Sequence, residues 1–123
     1  MLYYHWVIET YPPCEVIGKK ILPLIRSYVA RELIEKYKFT QIEVAKKLGI
    51  TQAAVSQYLH LKRGTKSMEE FKEVIPLIEE YSKKLAEKIA VNDIDRREII
   101  MEICKICVTI REKYLDKKHD TTQ

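Results

Sequence analysis

Residues 40–59 read TQIEVAKKLGITQAAVSQYL, and this stretch decides the fold. Thr40 followed three residues later by Glu43 is a capping box, the pattern that satisfies free backbone N–H groups at a helix start. Val44, Ala45 and Leu48 fall on one face of the helix that follows. Gly49 comes where the chain must leave that helix with positive φ, which glycine adopts without Cβ strain. Ile50 fills the gap before Thr51, a second cap. At 100° per residue the next helix gathers Thr51, Val55, Tyr58 and Leu59 on one side. Ala53, Ser56, Gln57 and His60 point the other way, with Gln52 at the leading edge. The stretch therefore predicts two short helices joined by a tight turn, the second presenting small and amide side chains outward.

Charge gathers around the same stretch. From Lys38 to Lys66 the cations are Lys38, Lys46, Lys47, Lys62, Arg63 and Lys66, and the only carboxylate is Glu43, a net of +5. The whole chain of 123 residues carries +4, so the remainder is slightly acidic. A short helix with outward amides, set in local positive charge, suits the major groove of duplex DNA.

The flanking sequence predicts an all-α protein. Three glycines and four prolines leave little punctuation, and apolar residues recur at helical spacing. Hydrophobic residues make up 46% and charged residues 33%, which excludes a disordered chain. The enrichment in Ile, Lys, Glu and Tyr is compatible with a thermophile's protein. Residues 1–13 read as a short extended N-terminal arm, since Leu2, Tyr4, Trp6 and Ile8 alternate and Pro12 and Pro13 end the run. That arm has two candidate partners, its symmetry mate in a dimer or a hydrophobic groove. From Glu15 to Lys36 a helix is interrupted by Pro23, where it either begins or kinks. Val29, Ala30, Leu33, Ile34 and Tyr37 form its apolar side, and Arg31 and Glu35 suit a solvent face. Ser67 and Glu70 are placed to cap a long helix carrying Phe71, Val74, Ile75, Ile78, Leu85 and Ile89, bent or split at Pro76. Asn92 and Asp93 mark a turn. Asp95 and Glu98 then cap a last helix whose face of Ile99, Ile100, Ile103, Ile106, Cys107, Ile110 and Tyr114 is either core or a homodimer interface, with the dimer favoured. Polar residues from Lys117 predict a frayed end. The resulting division is an arm (1–13), a DNA-binding region (14–66) and a C-terminal helical region (67–118) in one compact unit.

Residues Gln41, Ala45, Gly49, Ile50 and Val55, with the span between them, resemble the helix-turn-helix of Cro-type and lambdoid phage repressors, the xenobiotic-response-element class. The resemblance implies an all-α, lambda-repressor-like bundle with long C-terminal helices appended. It implies base-edge contacts from Gln52, Ala53, Ser56, Gln57 and His60. Gln52 would bond adenine in bidentate fashion, and Ala53 would touch a thymine methyl, a departure from the polar residue some phage repressors carry. Gln41, Thr51, Lys62 and Arg63 would hold phosphates. A wider resemblance, through PPCE at 12–15, LPLIR at 22–26, TQAAVSQYL at 51–59 and LKRG at 61–64, is to short archaeal regulators. Together these imply a transcriptional regulator that binds double-stranded DNA as a homodimer.

Three cysteines leave one reading open. Cys104 and Cys107 form C-x-x-C within one helix and act as small core residues, as a redox pair, or, with Cys14, as ligands of zinc or an iron–sulfur cluster. The regulator itself needs no cofactor. His5, His60 and His119 are scattered, and no nucleophile–base set or phosphate-cradling glycine loop is present, so no enzyme is expected. No basic-then-apolar leader opens the sequence, which predicts a cytoplasmic protein with reduced thiols. The alternative function is a helix-turn-helix used as a protein-interaction or antitoxin-like module, which the long C-terminal helices permit.

Overall fold

The computed structural model describes the backbone of residues 13–60 and 69–122, and the side chains of 19–60 and 69–114. Five helices account for nearly all of it: α1 (Pro13–Glu35), α2 (Gln41–Leu48), α3 (Gln52–Leu59), α4 (Ile75–Val91) and α5 (Arg96–Thr122). Residues 1–12, where the arm is expected, lie outside the described residues, as do Ser67 and its expected cap.

The central element is α1, which packs on α4, α3 and α5. It begins at Pro13 rather than after it, because proline at the first helical position lacks an N–H that would go unbonded anyway. It runs unbroken through Pro23, so the helix does not start there. Ile21, Leu24 and Ile25 on either side of Pro23 are all buried, and this packing outweighs the loss of one backbone donor. Val29, Ala30 and Leu33 continue the buried row, with Ile34 and Tyr37 packed at its margin.

The second proline also acts through position. Instead of one long helix, residues 71–74 form a turn and α4 starts at Ile75, with Pro76 in its first turn. Phe71 caps this corner as one of the largest fully buried side chains, and its ring meets that of Tyr114 on α5 at 4.9 Å between centroids. Ile78, Leu85, Ala86 and Ile89 then face inward.

Asn92 ends α4, and Asp93 turns the chain with φ 49°. Asp95 caps α5 by accepting from the Glu98 amide at 2.9 Å. The α5 face formed by Ile99, Ile103, Ile106 and Ile110 is buried within this chain's own core. Of the residues expected on that face, Ile100 is 50% exposed. It lies about 100° around the helix from Ile99, too far to share the seam. The helical backbone also continues to Thr122, past Lys117, because the polar tail holds neither Gly nor Pro to stop it.

Candidate nucleic-acid interface

The two short helices are built by local chemistry. Thr40 Oγ1 accepts from the Glu43 amide at 3.1 Å, and Glu43 Oε1 accepts from the Thr40 amide at 2.9 Å. These bonds, with Lys46 nearby, hold the Glu43 carboxyl below the usual carboxylate range. A carboxylate with a lowered folded-state pKa stabilises above its unfolded value, and the benefit disappears as pH falls through the folded one. The thermal midpoint is therefore expected to fall more steeply with acidification in the wild type than in Glu43→Gln. Equal slopes in a pH series of melts would show that the box contributes nothing.

Gly49 closes α2 at φ 68°, and its amide bonds the Ala45 carbonyl. Thr51 then caps α3, accepting from the Ala54 amide at 3.0 Å. Its hydroxyl hydrogen is left for another acceptor, compatible with a phosphate oxygen. Val55 is fully buried, while Tyr58 and Leu59 are half-buried.

Gln52, Ala53 and Gln57 are exposed, and Ser56 is half-buried. Gln41 is half-buried at the first position of α2. His60 is exposed, but its Nδ1 sits 2.6 Å from the Ser56 carbonyl, so the ring caps its own helix and keeps Nε2 as its remaining polar atom. Lys62 and Arg63 lie outside the described residues.

Three residues to which the sequence reading assigns no such role hold α3 from behind. Ser27 Oγ donates to the Tyr58 carbonyl at 2.9 Å, Arg31 donates to the Leu59 carbonyl at 3.4 Å, and Arg26 reaches the Tyr58 hydroxyl at 3.5 Å. The Ser27 and Arg31 bonds satisfy carbonyls at the C-terminal end of α3, where the helix has run out of its own donors, and the Arg26 contact holds the Tyr58 side chain. Arg31 is therefore half-buried rather than on a solvent face. The one available signal was Ser27, a polar residue in the buried phase of α1.

Part of the local positive charge has a structural use. Lys47 pairs with Asp93 and also donates to the Ile94 carbonyl. Arg96 lies over Gly49 and donates to the Lys46 carbonyl at 3.4 Å. The junction of α4 and α5 is thus fastened to the end of α2.

Two of the three cysteines, Cys104 and Cys107, have described side chains. Cys104 is exposed and Cys107 is half-buried against the core. Cys14 falls in the first turn of α1, and its side chain is outside the described residues. Among the described residues no group of three His, Cys, Asp or Glu side chains is placed to hold a metal. No helix among them is long and apolar enough to cross a membrane.

Residues 31–74 match the family model described as Helix-turn-helix. The match takes in the end of α1, all of α2 and α3, and the turn before α4. No curated protein and no solved structure matches the chain.

Proposed function

We propose, on the premise that residues 31–74 are a DNA-binding helix-turn-helix of the Cro and xenobiotic-response-element class, that this regulator reads a two-half-site operator as a homodimer. The observation that carries this proposal is the row of Gln52, Ala53 and Gln57, exposed together on a helix capped at its start and clamped at its end. A rigid support matters because base readout needs side chains held close to their contact geometry.

In this assignment Gln52 bonds an adenine edge, Ala53 packs on a thymine methyl, and Ser56 and Gln57 read neighbouring bases. His60 lies at the far end of the row. Gln41, Thr51, Lys62 and Arg63 fix the register through phosphates, which adds affinity without sequence preference. The protein works in the cytoplasm and needs no cofactor for this role.

Gln52→Ala is expected to cost about 1–3 kcal/mol on the preferred site and to relax the preference at one base pair. Lys62→Ala should instead weaken binding to all duplexes alike and reduce the salt slope by about 1. Competition titrations at several salt concentrations measure both. An unchanged operator preference in Gln52→Ala would overturn the base-reading role.

A further inference from the structure

Helix α5 has a second apolar stripe, facing away from the core. Ile100, Met101 and Val108 are 50%, 58% and 41% exposed, and Cys104 is exposed between them. At 100° per residue these four lie within about 100° of one another, on the side opposite Ile99, Ile103, Ile106 and Ile110. Arg97, Met101, Cys104, Val108 and Arg111 follow one another at intervals of four and three. That is the spacing of a helix–helix seam. Three of the five large hydrophobic side chains that stand exposed among the described residues belong to this one stripe.

The charges beside the stripe indicate what covers it. Glu98 and Lys105 lie along one edge, seven residues apart and opposite in sign. Two antiparallel helices related by a two-fold axis bring like edges together, so this edge meets its own copy. With Met101 of one copy level with Cys104 of the other, Met101 and Cys104 from both copies form an apolar centre. Glu98 of each copy then falls within about 3 Å along the axis of Lys105 of the other, at 1.5 Å per residue. The same register sets Arg97 level with Val108, where its aliphatic stem covers the methyl groups and its guanidinium stays in water. Lys105 is exposed and lies 3.7 Å from Glu102 of its own helix, a half-buried carboxylate that Lys88 also reaches at 3.4 Å, so Lys105 can exchange partners and leave Glu102 paired.

We infer that the outer stripe of α5 is the dimer interface, its occupant a second copy of this chain packed antiparallel about the Met101–Cys104 centre. The inference rests on the homodimeric reading above and assigns it a surface and a register. It also gives that surface a consequence. The first residue of α5, Arg96, is bonded to the Lys46 carbonyl and lies over Gly49, so the helix that pairs the copies is fastened to the helix-turn-helix itself. The pairing geometry then sets the separation of the two recognition helices.

Sedimentation equilibrium of the full chain without DNA tests the interface, and binding to a single half-site duplex tests recognition separately. Met101→Asp is expected to raise the dimer dissociation constant at least about a hundredfold, because it places a carboxylate at the centre of the seam. Half-site binding by this variant should persist. Lys105→Glu should weaken the dimer several-fold to about tenfold, and Glu98→Lys combined with Lys105→Glu should restore it, since the two charges exchange places. Restoration does not depend on how well Met101→Asp folds. A wild-type chain that stays monomeric, a Met101→Asp chain that stays dimeric, or a double charge swap no better than the single one would each overturn the inference. Loss of DNA binding by all variants and the wild type, with dimerisation as described, would sink the regulator reading and leave the interface standing.

Discussion

Phe71→Ala is expected to destabilise the protein by about 3–5 kcal/mol, the usual cost of removing a fully buried aromatic side chain and leaving a cavity. Phe71 is 1% exposed and packs on Tyr114 at an interplanar angle of 56°. Relaxation into the space is restricted on two sides. The chain turns at residues 71–74, with the Val74 and Ile75 amides both bonded to the Phe71 carbonyl. The Tyr114 ring belongs to α5, whose Ile110, one turn earlier, is itself fully buried. Urea unfolding should therefore show a large fall in midpoint with an unchanged slope, the sign of lost stability without a changed denatured state. A loss below about 1 kcal/mol would mean that this corner is not part of the core. Phe71→Leu, which retains most of the apolar volume, should recover much of the difference.

Gly49→Val is the second large effect, with an expected loss of about 2–4 kcal/mol. A β-branched residue at φ 68° is strained by about 1–3 kcal/mol. The added Cβ would also meet Arg96 Cδ and Nε at 3.0 Å. Arg96 can swing aside, but only by leaving the Lys46 carbonyl. The two contributions separate experimentally. Gly49→Asn should cost less, since Asn tolerates the left-handed conformation better than other residues. In an Arg96→Ala background the Gly49→Val penalty should shrink by the steric part alone. Chemical denaturation of the four variants gives this cycle. A Gly49→Val protein as stable as the wild type would contradict the turn geometry. Because Gly49 sets how α2 hands over to α3, the same substitution should also weaken operator binding.

The sequence showed most clearly what is decided within a few residues. The Thr40–Glu43 box, the left-handed Gly49, the Thr51 cap and the Asp95 cap each follow from groups three or four positions apart, and all form as their chemistry predicts. The outward row of α3 was legible for the same reason, because helical phase fixes which side chains share a face once Val55 is known to be inside. Contacts between distant residues were not legible. Ser27 with Tyr58, Arg31 with Leu59, and Lys47 with Asp93 each join positions roughly 30 or more apart, and apart from Ser27, which falls in a buried phase, their sequence context resembles that of solvent-facing polar residues.

The prolines show the limits of a local rule. Pro23 and Pro76 each lack a donor, yet α1 continues through the first while the chain starts a new helix at the second. The difference lies in tertiary packing. Pro23 sits among buried Ile21, Leu24 and Ile25, whereas Pro76 is exposed beside a corner that Phe71 already fills. Helix α5 raised a different ambiguity. Apolar residues occupy two stripes, and spacing alone does not say which one the chain buries itself. Spacing places Ile100 with the interior residues, whereas the structure exposes it on the outer stripe with Met101, Cys104 and Val108. The face expected to pair two copies is core, and the dimer proposed for this chain uses the opposite side of the helix.

The central claim is that the outward face of α3 reads base sequence in duplex DNA. Selection of bound duplexes from a random pool, followed by footprinting, measures this directly. The expected result is a palindromic consensus whose half-sites are centred about one helical turn apart, roughly 34 Å, or a multiple of it. Enrichment of no sequence, with equal and salt-dependent affinity for every duplex, would contradict it.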